Sequence, residues 1–151
     1  MQRRAADNRY LHKDFHGALS NGLIYLESRY GREAAVTFLR RFAETYHAPL
    51  RAAMRTGELA PLRDYLKSVF ETEGAAFRLS ANENEIVLDL EGCPALAHLK
   101  AHEMPVAPIF GDMGLHLYTA LCRDTPFVFE RSRFDPATGA CRMRFRRRAS
   151  T

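Results

Sequence analysis

One cysteine in the sequence stands where its thiol could act as a nucleophile. Cys93 lies between Gly92 and Pro94, and the surrounding pattern predicts that a strand ends and a helix begins there. The first N–H groups of a helix have no intrahelical partner and carry the positive end of the helix dipole, which stabilises a thiolate. We therefore expect the pKa of Cys93 to be lowered, as a nucleophile requires. The alternative role is that of a small buried hydrophobic residue.

Histidines and an aspartate downstream of Cys93 are candidate acid–base partners. His98 and His102 are four residues apart on the helix predicted after Cys93, and Asp112 and His116 have the same spacing on the next helix. Because residues at i and i+4 share a helix face, a carboxylate can orient an imidazole there. The predicted catalytic set is therefore this thiol, these three histidines and Asp112 as the orienting group. Which imidazole lies nearest the thiol stays open, and each histidine could instead be a hydrogen-bonded boundary residue.

Two further histidine patterns could belong to metal sites. His12 and His16 are spaced i, i+4 on the first predicted helix, where two imidazoles can bind a divalent ion. Glu44 and His47 match the Glu-x-x-His element of di-iron bundles, but only once. The sequence has no HExxH motif and no closely spaced cysteine pair, and it also lacks GxGxxG, GxxxxGK[ST] and GxSxG motifs. We therefore predict no metal and no other cofactor.

The composition is that of one globular domain, which we assign to residues 1–151. The chain is 46% hydrophobic, 26% charged and 11% aromatic, which excludes extended disorder. Its three cysteines are an odd number without the spacing of a disulfide framework, which indicates a reducing cytoplasm. No apolar segment follows the early positive charges and no run of about 18 apolar residues occurs, so we expect neither export by that route nor a membrane-spanning segment.

The positive charge of the chain is concentrated at one end. The formal net charge is +4, and five arginines lie in the last ten residues, at positions 142, 144, 146, 147 and 148. One short basic run is a weak signal for nucleic acid, and a solvated strand end accounts for it better. We therefore rank nucleic acid last among the possible partners and expect a small-molecule ligand or substrate. The sequence predicts no particular oligomeric state.

Helical periodicity dominates the first half of the chain, from about residue 7 to 74. Apolar residues recur at steps of three and four, Gly31 supplies a stop, and Pro49 and Pro61 stand where a first-turn proline begins a helix. The predicted helices span Asp7 to Tyr30, Ala35 to Tyr46, Pro49 to Gly57 and Pro61 to Gly74. The predicted apolar face of the first helix contains Leu11, Phe15, Ala18, Leu19, Gly22, Leu26 and Tyr30.

Alternation with a period of two marks the second half, from about residue 75 to 148. It predicts one hairpin with strands near 77–79 and 86–90, and another with strands near 127–134 and 141–145. Helices are predicted over 94–103 and 111–122 between the hairpins. The predicted fold is therefore α+β, with an antiparallel sheet of about four strands covered on one face by helices.

Four segments of the chain resemble a known family. They are Gly92-Cys93-Pro94, Pro108 to Asp112, Phe127 to Glu130, and Gly139 to Phe145. Together with the helical first half, these segments resemble the L-2-amino-thiazoline-4-carboxylic acid hydrolase-like family. Gly111 stands where the family pattern has a second cysteine, so a role that needs two thiols at that point is not expected.

The resemblance implies hydrolysis of a C–N bond in a small cyclic amidine or thiazoline carboxylate. Cys93 would attack or stabilise the reacting carbon, a nearby histidine would transfer protons, and N–H groups at the helix start would hold developing negative charge. We therefore expect a small cytoplasmic hydrolase. The alternative is a non-catalytic small-molecule-binding or sensory domain with an apolar pocket, in which Cys93 only packs.

Overall fold

The computed structural model describes residues 9–149, and side chains from residue 13 onward. Over this range the chain forms six α-helices, a short 3-10 turn and one four-stranded antiparallel sheet, which confirms the predicted α+β class. The helices are α1 (Arg9–Tyr30), α2 (Arg32–Tyr46), α3 (Ala48–Arg55), α4 (Ala60–Thr72), α5 (Pro94–Ala101) and α6 (Met113–Cys122). The strands are β1 (Phe77–Ala81), β2 (Glu85–Leu90), β3 (Phe127–Ser132) and β4 (Cys141–Arg147). The predicted start of the first helix at Asp7 lies outside the described residues.

Glycines and prolines delimit the helices as predicted. Gly31, Gly57 and Gly74 all adopt positive φ angles, which glycine tolerates at a helix end. Pro49 and Pro61 lie in the first turns of α3 and α4, where the missing N–H has no helical partner to lose. The helix predicted over 111–122 is divided into the 3-10 turn Phe110–Asp112 and α6. Within residues 9–149, no helix is both long and apolar enough to cross a bilayer.

The sheet joins the two predicted hairpins through their second strands. Its order is β1-β2-β4-β3, with Leu88 opposite Met143 and Phe129 opposite Phe145. These residues belong to an inner face that is buried, whereas the alternate residues form a charged outer face. The predicted alternation of a buried and a solvated face is therefore confirmed.

The basic residues at the end of the chain are paired across this outer face. The guanidinium of Arg142 donates to Asp89 over 2.6 and 2.8 Å, and that of Arg146 donates to Glu130 over 2.9 and 2.6 Å. Arg144 forms ion pairs with Glu85 and Glu130. Exposed pairs of this kind add little stability, but opposite charges on neighbouring strands favour the observed register. Three of the five arginines of the predicted basic strand end are thus locally neutralised, whereas the side chains of Arg147 and Arg148 bond to uncharged groups.

The buried face of the first helix is rotated from the predicted one. Leu19 and Leu26 of the predicted face pack against the core, but Phe15 and Tyr30 are 47% and 64% exposed. The residues that α1 buries instead include His16, Gly17, Ser20 and Leu23. The Ser20 hydroxyl donates to the Pro105 carbonyl (2.7 Å) and accepts from the Ala107 N–H (2.9 Å). This face is buried because its small side chains allow close packing and Ser20 bonds to backbone groups of the loop after α5. Apolar periodicity does not reveal such polar contacts.

The buried apolar residues form two clusters. The first cluster joins the inner face of the sheet to α3, α4 and α6, and includes Leu66, Leu88, Phe127 and Phe145. The second cluster joins α1, α2, α5 and the loop before α6, and includes Leu23, Leu39, Leu99 and Ile109. Both sets have essentially no exposed surface, so each is a packed core. The boundary between them contains the candidate site.

Candidate functional site

A partly enclosed cavity of about 180 Å³, which we call the internal cavity, lies where the two clusters meet. Its walls come from α1, α4, α5, α6 and three strands, and most of its lining is apolar, as at Phe70, Leu96 and Met143. An apolar cavity of roughly 150 Å³ is known to bind benzene, so a small ring compound matches this volume. Larger depressions, of about 550 and 530 Å³, are open surface grooves. The internal cavity is therefore the candidate ligand site.

Cys93 lies in the wall between this cavity and the outer groove of about 530 Å³. It occupies the position just before α5 with an extended backbone, and its carbonyl accepts the N–H of Ala97 at 3.0 Å to close the first turn. Its own N–H donates to the carbonyl of Thr138 at 2.8 Å. The prediction that Cys93 stands at a helix start is confirmed.

The predicted direction of the Cys93 pKa is wrong. Burial raises the pKa of the Cys93 thiol, and the amides of Leu96 and Ala95 lower it only in part. The negative charge of Glu73 raises it further. The amides at a helix start favour the thiolate, but the loss of water around the sulfur disfavours it and has the larger effect on the pKa.

The turn between β3 and β4 holds Cys93 in place. Gly139 has a φ of 73°, and a Cβ at this position would overlap the Cβ of Cys93. The N–H of Gly139 donates to the carbonyl of Asp135 at 2.7 Å, and Lys100 on α5 bonds to the carbonyl of Ala137. Only glycine combines this backbone conformation with so close an approach.

A Gly139→Ala substitution should lower the free energy of unfolding by about 1–3 kcal/mol, because it adds backbone strain and a steric overlap with Cys93. Urea unfolding measures the change. Gly22→Ala is the matched control, since nothing lies within 4 Å of a Cβ on Gly22 in α1. That control should be neutral or stabilising by up to about 1 kcal/mol. Equal stability of the Gly139→Ala and wild-type proteins would contradict the described packing.

A buried imidazole–carboxylate pair lines the same cavity. His16 Nε2 lies 3.2 Å from Glu73 Oε2, and each residue is 8% exposed. The pair joins α1 to the residue just after α4, 57 positions along the chain. The sequence spacing predicts His16 only as half of a metal pair with His12, whose side chain lies outside the described residues. The burial of Glu73 could have been predicted from the sequence, because Glu73 continues the buried stripe of Leu66 and Phe70 on α4.

The predicted partners His98 and His102 lie outside the cavity lining. Their ring centroids are 4.2 Å apart, and His102 is exposed beyond the end of α5. The His98 ring is 6.5 Å from that of His16, and burial together with neighbouring imidazoles lowers its pKa. His98 therefore lies beside His16, but neither His98 nor His102 lines the cavity.

Asp112 and His116 are likewise absent from the cavity lining. Asp112 accepts hydrogen bonds from Arg131 (2.7 Å) and Arg32 (2.9 Å), and the Arg131 bond holds the pKa of this carboxyl below its usual range. Within residues 9–149 no hydrogen bond joins Asp112 to His116, so the predicted orienting contact is not formed. Of the five predicted site residues, only Cys93 lines the cavity.

Two further polar side chains reach the lining without having been predicted. Cys141 on β4 brings a second thiol, whose pKa is raised by burial and partly lowered by Arg131. Arg131 on β3 lines the cavity with a side chain that is 12% exposed. Gly111 also borders the cavity, and a Cβ at this position would lie 3.3 Å from the ring of Phe134. The second thiol of the site therefore comes from β4 rather than from position 111.

The possible metal ligands do not assemble in the part of the chain that the structure describes. Across residues 9–149, no three histidine, cysteine, aspartate or glutamate side chains form a cluster suited to a metal ion. Glu44 pairs with Arg123 at 3.7 Å, and His47 is buried beside Tyr65. The Glu44–His47 motif thus contributes to helix packing.

Comparison with known proteins does not supply a family for this chain. No protein-family model matches it, and no curated protein matches it. The function is therefore argued from the cavity and its lining residues.

Alkylation of the native protein by iodoacetamide should be slow at pH 7 for all three thiols. Burial raises the pKa of Cys93 and Cys141, and that of Cys122 to about 12. Since the thiolate is the reacting form, the rate at Cys93 should rise about tenfold per pH unit up to its pKa. Peptide mass spectrometry, with Cys93→Ser as control, assigns the site. A plateau in the Cys93 rate below pH 8 would contradict the burial effect.

Proposed function

We propose that this protein hydrolyses a C–N bond of a small cyclic amidine or thiazoline carboxylate inside the internal cavity. The observation that supports the proposal is that one small cavity is lined by the Cys93 thiol and by the imidazole of His16, which pairs with Glu73. A nucleophile, a base and a group that orients the base are the parts that covalent hydrolysis needs. The resemblance of the Gly92-Cys93-Pro94 region to the thiazoline hydrolase-like family suggests the substrate class.

The raised pKa of Cys93 requires a general base in this reaction. Because the resting sulfur keeps its proton, attack depends on transfer of that proton as the S–C bond forms. His16 is the proposed base, since it lines the cavity whereas His98 does not. Glu73 stabilises the imidazolium that results, through the 3.2 Å contact with Nε2.

The proposed reaction begins when the sulfur of Cys93 bonds to the carbon of the C=N group and its proton passes through His16 to the ring nitrogen. The amides of Ala95 and Leu96 face the sulfur and favour negative charge that develops beside it. A proton from the second amidine nitrogen moves to the ring nitrogen, the C–N bond breaks and the ring opens, leaving a thioimidate on Cys93. Water then adds to this carbon, and the bond between the carbon and the Cys93 sulfur breaks to give the free Cys93 thiol and an amide, which is a thiocarbamate when the substrate is a 2-amino-thiazoline. The net reaction consumes one water.

Substrate entry is proposed through the outer groove. Cys93, Pro94 and Leu96 line both this groove and the cavity, so the barrier between them is thin. A thiol in that barrier can react with a substrate that enters the cavity from the groove. The free thiols of Cys93, Cys122 and Cys141 suit a reducing compartment, and we assign the reaction to the cytoplasm.

Cys93→Ala should reduce the ring opening of 2-amino-thiazoline-4-carboxylate by about 10³-fold or more, since it removes the attacking atom. His16→Asn should reduce it by about 10²- to 10⁴-fold through loss of the base. Cys122→Ala is the control, because Cys122 lies in the first cluster outside the cavity, and its turnover should stay near that of the wild type. Substrate consumption is followed by mass spectrometry. Undiminished turnover by Cys93→Ala would exclude the nucleophile.

The second candidate function is a non-catalytic small-molecule-binding or sensory domain. The specific observation that favours it is the raised pKa of Cys93 in a mostly apolar cavity, which suits a packing residue. In that case the wild type and Cys93→Ala should bind the thiazoline with equal affinity, and neither should turn it over. Isothermal titration alongside the turnover assay separates the two functions.

A further inference from the structure

We infer that Arg131 binds the anionic group of the cavity's ligand, and that the ligand is accordingly a small ring compound bearing one carboxylate. The inference deepens the proposed function, since it concerns the same cavity, but it identifies the recognition residue from the structure itself. Arg131 extends from β3 into the lining of a cavity whose other walls are largely apolar. A guanidinium in such surroundings is a strong partner for an anion, because little water competes with it.

The guanidinium of Arg131 is held rigidly. Nη1 donates to the Gly111 carbonyl and Nη2 to Asp112 Oδ1, each over 2.7 Å. The guanidinium carbon lies 3.8 Å from the centre of the Phe134 ring, in a cation–π contact. A group fixed on three sides loses little entropy when it binds a ligand, which favours recognition.

The hydrogen-bond donors of Arg131 leave room for an anion. Asp112 is the carboxylate that contacts Arg131, and it is shared with Arg32 at 2.9 Å. Arg32 has a second carboxylate partner, Glu27, at 3.5 Å, whereas Asp112 is the one ion-pair partner of Arg131 among the described residues. A guanidinium has five N–H donors, and the two described bonds leave others for a ligand. A carboxylate matches their planar arrangement and can accept two of them.

The alternative is that Arg131 only ties β3 to the 3-10 turn. A purely structural arginine would affect stability, but it would not make the cavity prefer a charged ligand over an uncharged one of the same shape. Cyclopentanecarboxylate and cyclopentanecarboxamide form such a pair, and neither contains the amidine on which the proposed function depends. The affinities of both compounds for the full chain therefore test the role of Arg131 separately from catalysis.

Wild-type protein should bind cyclopentanecarboxylate at least about tenfold more tightly than the carboxamide, and Arg131→Gln should lose this preference. Arg142→Gln is the matched control, because Arg142 forms a similar ion pair with Asp89 on the outer face of the sheet. It should keep the preference. Isothermal titration gives the affinities, and the thermal midpoint of each variant shows whether it is folded.

A measurement on the wild type keeps the test decisive if Arg131→Gln does not fold. The Nε–H resonance of Arg131 should shift on addition of the carboxylate and stay in place with the carboxamide. Equal affinities for the two compounds, a preference retained by Arg131→Gln, an unshifted resonance or no binding of either compound would overturn the inference. Carboxylate binding through Arg131 without turnover of any thiazoline would support it and remove the hydrolase proposal.

Discussion

Buried polar pairs at the boundary between the two apolar clusters keep those clusters from merging into one core. The imidazole of His16 pairs with the buried carboxylate of Glu73, and the largely buried guanidinium of Arg131 pairs with the partly exposed Asp112, because a buried polar or charged group without a partner is costly. Side chains committed to such pairs cannot move to fill the space between α4, α5 and β4. The cavity is the result of this constraint, and its polar lining is the same set of groups that could bind and act on a ligand.

The position of Cys93 follows from backbone geometry rather than from any interaction of its sulfur. Pro94 begins α5, the Cys93 N–H donates to Thr138, and the close approach of Gly139 fixes the Cβ. The thiol is thereby held at the barrier between groove and cavity, where burial keeps it protonated. In the proposed reaction, chemistry at this sulfur therefore depends on a base in the cavity, and His16 is the imidazole that lines the cavity with Cys93.

The local pattern of the sequence is sufficient to predict the helices and strands, but not the contacts between distant ones. Alternation and glycine positions predict both hairpins, and Gly92 and Pro94 predict the helix start at Cys93. The failures have one physical origin, which is that burial depends on the tertiary structure. Apolar periodicity places Phe15 in the core, although α1 buries a more polar face. A position at a helix start predicts a lowered pKa for the Cys93 thiol, because the sequence does not show the desolvation that raises it. The sequence does not predict that Arg131 lines the cavity, because the alternation in β3 shows only which face of the sheet a residue occupies.

A crystal structure with cyclopentanecarboxylate determines whether the boundary cavity is a ligand site or a packing defect. We expect ligand density inside the cavity, with the carboxylate on Arg131 and the ring between Cys93 and His16. If the side chains of Phe134 or Met143 fill the cavity, and the compound binds elsewhere or not at all, the cavity is not a ligand site.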